Sequence, residues 1–158
     1  MISRMYIRKA VAGDVSRIAE IYVFNNRMNF FPIFKDESFS FGELQVVPLA
    51  DQYFKKDEIL NGIYVYDDGL IRGFVQMDQR EICKLYVDTF FQSAGIGKAL
   101  IEYAVNVLHG EYLWALEKNA RAISFYQRQG FCLTGAKKFE EGTTEYLVKL
   151  ENRAAFGV

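Results

Sequence analysis

Apolar and polar positions change period several times along the chain, and each change marks an element. Residues 4–9 alternate weakly and predict a short strand. Asp14 then precedes Val15, Ile18, Ala19, Tyr22 and Val23, an apolar stripe at helical spacing with Asp at the N-cap position. Over residues 28–47 the pattern fails. Phe30, Phe31, Pro32, Phe34, Phe39 and Phe41 stand among acidic residues, which predicts a long aromatic loop with little regular structure. A weaker helix is expected over residues 49–60, ending near Asn61-Gly62. Ile63-Tyr64-Val65-Tyr66, the turn Asp67-Asp68-Gly69 and the return run 70–77 carry a β-hairpin signature. A third strand is expected over 81–87. Helical spacing returns at Gly95, with Ile96, Leu100, Tyr103, Ala104, Val107 and Leu108 on one face, and stops at Gly110. Residues 113–116 read as a buried strand, 120–129 as a helix closed by Gly130, and the end as two strands near Phe131 and Tyr146. The order is β-α-α-β-β-β-α-β-α-β-β. Its β-α-β segment over 81–116 implies parallel pairing and its hairpins antiparallel pairing, so the fold class is α/β (α+β) with a mixed sheet.

Composition narrows the classes of function. At 158 residues and 18.3 kDa, with no repeat or linker, one domain over residues 1–158 is expected, and its core needs no disulfide or metal. Hydrophobic residues at 51% and charged residues at 25% exclude general disorder. A net charge of -1 and a pI of 5.9 remove any bulk attraction to phosphate backbones, so no nucleic-acid partner is expected. The first residues carry charge where a signal peptide needs an apolar run, and no stretch approaches the roughly 20 apolar residues of a membrane span. A soluble, cytoplasmic protein is expected. Cys83 and Cys132 read as buried free thiols of a reducing compartment. His109, before Gly110 at a predicted helix end, reads as a C-terminal helix residue favoured by the dipole. No His, Cys or Asp cluster has metal-ligand spacing, and no metal is implied.

The chemistry-bearing stretch is Gln92-Ser93-Ala94-Gly95-Ile96-Gly97-Lys98, between the predicted strand and helix. Glycines let several N–H groups point at one spot, and the positive end of the helix adds to them; such a site suits a phosphate or pyrophosphate. A Walker loop needs Gly where Gln92 stands and Ser or Thr where Ala99 stands. The dinucleotide fingerprint needs a third Gly at Leu100. Neither nucleotide motif survives, which leaves a phosphate cradle or a plain strand-to-helix turn.

The run Leu85-Tyr86-Val87-Asp88-Thr89-Phe90-Phe91 leading into this loop resembles the acetyl-CoA-binding core of the Gcn5-related N-acetyltransferase (GNAT) superfamily. Downstream, Asn119, Ala122, Phe125-Tyr126 and Gly130-Phe131 resemble that family's next motif, and the element order is similar over essentially the whole chain. Thr89 stands where the family often has Pro. The resemblance implies an acyl-CoA N-acyltransferase fold of six to seven strands and acetyl-CoA as co-substrate. It implies that the backbone of Leu85, Tyr86 and Val87 holds the pantetheine, and that Ser93, Ala94, Gly95, Ile96, Gly97 and Lys98 supply amides to the pyrophosphate, with Gln92 bracing the loop. Tyr126 is implied as general acid at the thioester sulfur, and Asn119 as a partner of the pantetheine arm, against plain helix capping. Glu81 alternates with Cys83 and Leu85 on one face and lies eleven residues before Gln92, a spacing similar to the glutamate base of the histone-type branch. A water relay is the alternative. Trp114 occupies the position where the ribosomal-protein branch carries its glutamate.

The resemblance implies direct transfer to a primary amine in a ternary complex. Aromatic and acidic residues over 24–41 suit the ammonium of a small molecule. Acetylation of a protein lysine or N-terminus is the alternative, and a silent acyl-CoA-binding sensor is the alternative of another class. The apolar tail Ala154-Ala155-Phe156-Gly157-Val158 covers a neighbour in a homodimer or simply frays.

Overall fold

In the computed structural model, which describes residues 4–153, every alternating segment joins one sheet. The strands are β1 (Ile7–Lys9), β2 (Ile63–Asp67), β3 (Ile71–Asp78), β4 (Glu81–Val87), β5 (Tyr112–Leu116), β6 (Phe131–Phe139) and β7 (Tyr146–Asn152). Their spatial order is β1-β2-β3-β4-β5-β7-β6. All neighbours are antiparallel except β4 and β5, which are parallel because a helix carries the chain between them. The helices are α1 (Val15–Asn29), α2 (Phe31–Phe34), α3 (Val46–Leu49), α4 (Asp57–Leu60), α5 (Ile96–Asn106) and α6 (Ala120–Arg128).

Each sheet face has its own core. On one, Ile96, Leu100, Ile101 and Ala104 of α5 pack on Val75, Ile82, Val87, Leu113 and Leu150. On the other, Ile18, Ala19 and Ile21 of α1 and Phe54 pack on Ile63, Val65 and Phe74. Burying such side chains is worth about 1.5–3 kcal/mol each, so the apolar stripes of α1 and α5 fix which faces they take.

One irregularity shapes everything that follows. Gln76 pairs with Lys84, but Met77 pairs with Ile82, so Cys83 is an extra residue in β4. Directly opposed residues share a face. Met77 and Ile82 join the α5-side core, whereas Gln76 and Lys84 both reach the Tyr53 hydroxyl on the α1 side. Glu81, opposite Asp78, therefore lies on the α1 face with Lys84 and Tyr86. The expected alternation of Glu81 with Cys83 and Leu85 does not hold, because the bulge intervenes. Among the described residues the β4–β5 ladder contains the single pair Glu81–Tyr112, and beyond it the strands part.

Four other expectations are corrected. Residues 28–60 are a chain of short helical turns instead of a loop and a helix: α2, a π-helical turn over Ser38–Glu43, α3, another over Ala50–Phe54, and α4. Pro32 opens α2, Pro48 lies within α3, and Lys56 is extended, so each turn ends after about one repeat. Edge-to-face ring pairs, Phe30 with Phe34 and Phe31 with Phe41, hold the turns together. Asp14 stands at the N-cap position of α1 as expected, but its carboxylate makes no capping bond; it accepts the Val11 N–H at 2.9 Å and a bidentate Arg8. α5 ends at Asn106, so His109 lies outside it, in the left-handed region at φ 60°. Cys132 is exposed, whereas Cys83 is half-buried. The apolar tail lies outside the described residues. No helix among them is long and apolar enough to cross a membrane.

Candidate active site

The gap between β4 and β5 is a cleft, and the ladder on its other side decides which backbone groups face it. The Asp88 N–H donates to the Arg72 carbonyl at 2.8 Å, in the register that pairs Gly73 with Val87. Hydrogen-bonded pairs recur at every second position of an antiparallel ladder, so Tyr86 is bonded to Phe74 and Lys84 to Gln76. Leu85 and Val87 turn their N–H and C=O groups to the open side. The Val87 carbonyl is already occupied, accepting from Asn25 Nδ2 at 2.9 Å and from Gln92 Nε2 at 3.2 Å. The Leu85 N–H and C=O and the Val87 N–H are left for a ligand that lies along β4 as an added strand would. Tyr86 contributes its ring, since its backbone is engaged by β3.

The loop after β4 is held from both ends. The Asp88 carboxylate accepts the Phe90 N–H at 2.9 Å and an Arg17 guanidinium at 2.8 Å. Gln92 donates to Asn25 Oδ1 at 3.3 Å as well as to Val87, which braces the loop against α1. Ser93 and Gly95 are left-handed, at φ 66° and 85°. The first i to i−4 bond of α5 runs from the Ala99 N–H to the Gly95 carbonyl, at 3.0 Å. The N–H groups of Ile96, Gly97 and Lys98 therefore have no helical partner and form the positive end of α5. Gly97 packs against the Phe125 ring, where a Cβ would make an ordinary contact at 3.4 Å, so α6 stands beside the loop.

Beyond the cleft, a cavity of about 940 Å³ continues to the α1 side of the sheet. Leu85, Tyr86, Trp114, Asn119 and Tyr126 line its cleft end; Tyr22, Asn26, Phe30, Phe34 and Phe39 line the other. Asn119 caps α6, its Oδ1 accepting the Ala122 N–H at 3.3 Å, so its amide nitrogen is the group left for a ligand. Tyr126 rests on Phe125 and Phe131, and burial pushes its hydroxyl up to about 12. Burial also drives Tyr86 well above its ordinary value, and Cys83 to about 11, so that thiol stays protonated.

The cavity gathers Leu85, Tyr86, Asn119 and Tyr126 and leaves Glu81 out of its wall. Glu81 is half-buried at the closed end of the cleft, opposite Tyr112. Several lining residues escaped the sequence reading, Tyr22, Asn26, Lys84 and Glu140 among them. Two had a visible signal. Asn25-Asn26 interrupts the apolar stripe of α1, and Lys84 stands inside the apolar run of β4. Glu140, in the β6–β7 connection, had none.

A mixed sheet that opens between two parallel strands beside a helix N-terminus is the acyl-CoA N-acyltransferase fold. Residues 60–132 match the family described as acetyltransferase (GNAT) domain. Over 69 residues it is 30% identical to the peptidyl-lysine N-acetyltransferase YjaB of Salmonella typhimurium, covering 44% of this chain and 48% of that one. The match thus spans about half the length of that relative. The solution structure of apo YjaB from Escherichia coli superposes with a TM-score of 0.76 at 17% identity, over 93% of this chain and 96% of that one. PaiA N-acetyltransferase from Thermoplasma acidophilum, solved with coenzyme A, gives 0.64 at 19% identity, over 90% and 96%.

Proposed function

We propose that the protein is an N-acetyltransferase that carries an acetyl group from acetyl-CoA to a primary amine within a ternary complex. The observation that carries this is the open edge of β4: Leu85 presents an N–H and a C=O to a cleft lined by Asn119 and Tyr126, on the strand that runs into the loop before α5. Acetyl-CoA supplies an acyl group activated as a thioester. The loop amides from Ser93 to Lys98 receive its pyrophosphate, and the β4 edge and Asn119 receive its pantetheine arm.

An aliphatic amine is mostly protonated at neutral pH and must lose that proton before attack. Of the cavity's carboxylates, Asp36, Glu140, Glu141 and Glu145, Glu140 is the one whose charge reaches both Tyr22 and Tyr86, and it has the role of proton acceptor; Glu81, outside the wall, acts only through intervening water. As the carbon–nitrogen bond forms and the carbon–sulfur bond breaks, charge develops on sulfur. With its hydroxyl near 12, Tyr126 stays protonated and donates a hydrogen bond to that sulfur. Burial holds the Tyr126 hydroxyl above an ordinary thiol, so it donates a hydrogen bond to the sulfur in preference to giving up its proton. The proton that ends on the thiol comes from the acetylated nitrogen. Positioning both reactants in one cleft supplies much of the rate.

The aromatic wall of Phe30, Phe34 and Phe39 supports a small amine as acceptor. A protein lysine is the second reading, favoured by the name of the Salmonella relative. Thiol release measured with small amines and with lysine peptides distinguishes them. Acetyl-CoA at about 100 times its dissociation constant adds roughly 2.7 kcal/mol of stability, read as a melting shift of several degrees. A folded protein with no shift would overturn the assignment.

A further inference from the structure

We infer that the acceptor amine carries a carboxylate and that Lys84 recognises it, an inference that rests on the acetyltransferase reading above. Lys84 lies on the α1 face of β4, next in sequence to the Leu85 edge where the thioester would lie. Its ammonium donates to the Tyr53 hydroxyl at 3.0 Å, and that hydroxyl also accepts from Gln76 at 2.9 Å. The rings of Tyr53 and Tyr22 stand 4.9 and 5.5 Å from the nitrogen. No carboxylate among the described residues forms an ion pair with it, although ten other ion pairs are present. An ammonium carries three donors, and one is used.

A half-buried cation held by neutral groups in a cavity wall is costly unless something anionic meets it. None of the cavity's own acids pairs with Lys84: Glu145 pairs with Lys118 at 2.6 Å, Asp36 accepts the Phe39 N–H at 3.0 Å, and neither Glu140 nor Glu141 forms an ion pair with it. A second observation is independent. Asn26, one helical turn after Tyr22, lines the same cavity; it is 5% exposed, and its Oδ1 has no hydrogen-bond partner. A buried carbonyl left without a donor is rare and costs about 1–3 kcal/mol. Around the Tyr22 ring the wall therefore offers a cation for an anion and an acceptor for an N–H. A diamine would meet Lys84 as a like charge; an amino acid satisfies both groups.

The test is steady-state acetylation of free amino acids and ω-amino carboxylates, each beside its carboxamide, with the whole chain and acetyl-CoA. Removing the carboxylate leaves the Lys84 charge unanswered, so kcat/KM falls about tenfold or more from acid to amide. Lys84→Met brings that ratio close to one, and Lys84→Arg restores part of it. A structural role for Lys84 would lower both series together and leave the ratio alone, which overturns the inference. Wild-type protein that takes amides as readily as acids overturns it without any variant, and leaves the acetyltransferase reading standing. Acetyl-CoA binding with no turnover of any amine or peptide would remove both.

Discussion

Removing the Tyr126 hydroxyl isolates the polar group proposed to face the scissile sulfur. In Tyr126→Phe the ring stays on Phe125 and Phe131, at centroid distances of 5.2 and 6.0 Å, so the fold is expected to melt within about 1 kcal/mol of wild type. The loss falls on the transition state. A hydrogen bond to a charged acceptor contributes about 1.5–3 kcal/mol, and the sulfur carries charge only as it departs. The rate of the acetyl-transfer step should therefore drop about 10- to 150-fold, with the KM for acetyl-CoA nearly unchanged. Single-turnover mixing of the enzyme–acetyl-CoA complex with amine, followed by thiol detection, measures that step apart from product release. With the hydroxyl near 12, the wild-type rate should show no alkaline fall from tyrosine ionisation at ordinary assay pH, and Phe should leave the shape of the pH profile unaltered. A single-turnover rate within twofold of wild type, or a loss confined to KM, would refute the assignment.

Three further predictions concern the frame. Gly62→Ala places a Cβ 2.2 Å from the Met77 carbonyl oxygen, a backbone atom, and should cost about 1–3 kcal/mol in a denaturant titration. Asn25→Ala removes the donor to Val87 and the acceptor from Gln92 and should cost about 2–3 kcal/mol, with a further loss of acetyl-CoA affinity in a calorimetric titration. Asp14 is held below its ordinary 3.8 mainly by hydrogen bonds from Arg8, against the opposing pull of burial. A depressed folded pKa gives stability that is present above pH 3.8 and lost as pH falls toward the lowered value. Arg8→Met should therefore flatten the acid limb of the melting profile, while a limb as steep as wild type would point to other carboxylates.

The element order and the bounds of β4 were legible in the sequence because their signals are local: glycine at the turns, period two in the hairpin, period 3.6 in α5. The loop proposed to receive the cofactor was equally visible as a candidate, since Gln92 to Lys98 is one contiguous run. The acceptor side was not. It is assembled from α1, a bulged position of β4 and the β6–β7 connection, and nothing in spacing ties Asn26 to Lys84 or Glu140. The bulge itself is a mismatch of count between two strands, 76–77 against 82–84, which only the paired register reveals. It also moved Glu81 to the other face. Between residues 28 and 60, aromatic packing overrides weak helical preference, so short turns form where Pro32, Gly42 and Pro48 would otherwise predict open chain.

Asn25 and Asn26 are neighbours in the chain with different work. One grips the Val87 carbonyl and Gln92, at the root of the pyrophosphate loop; the other stands in the wall that meets the amine. Because both side chains sit on α1, a displacement of the loop on ligand binding would reach the cavity wall through that one helix. On the proposed function, the expected order of addition is acetyl-CoA first and the amine second. Product inhibition by coenzyme A should accordingly be competitive with acetyl-CoA and noncompetitive with the amine.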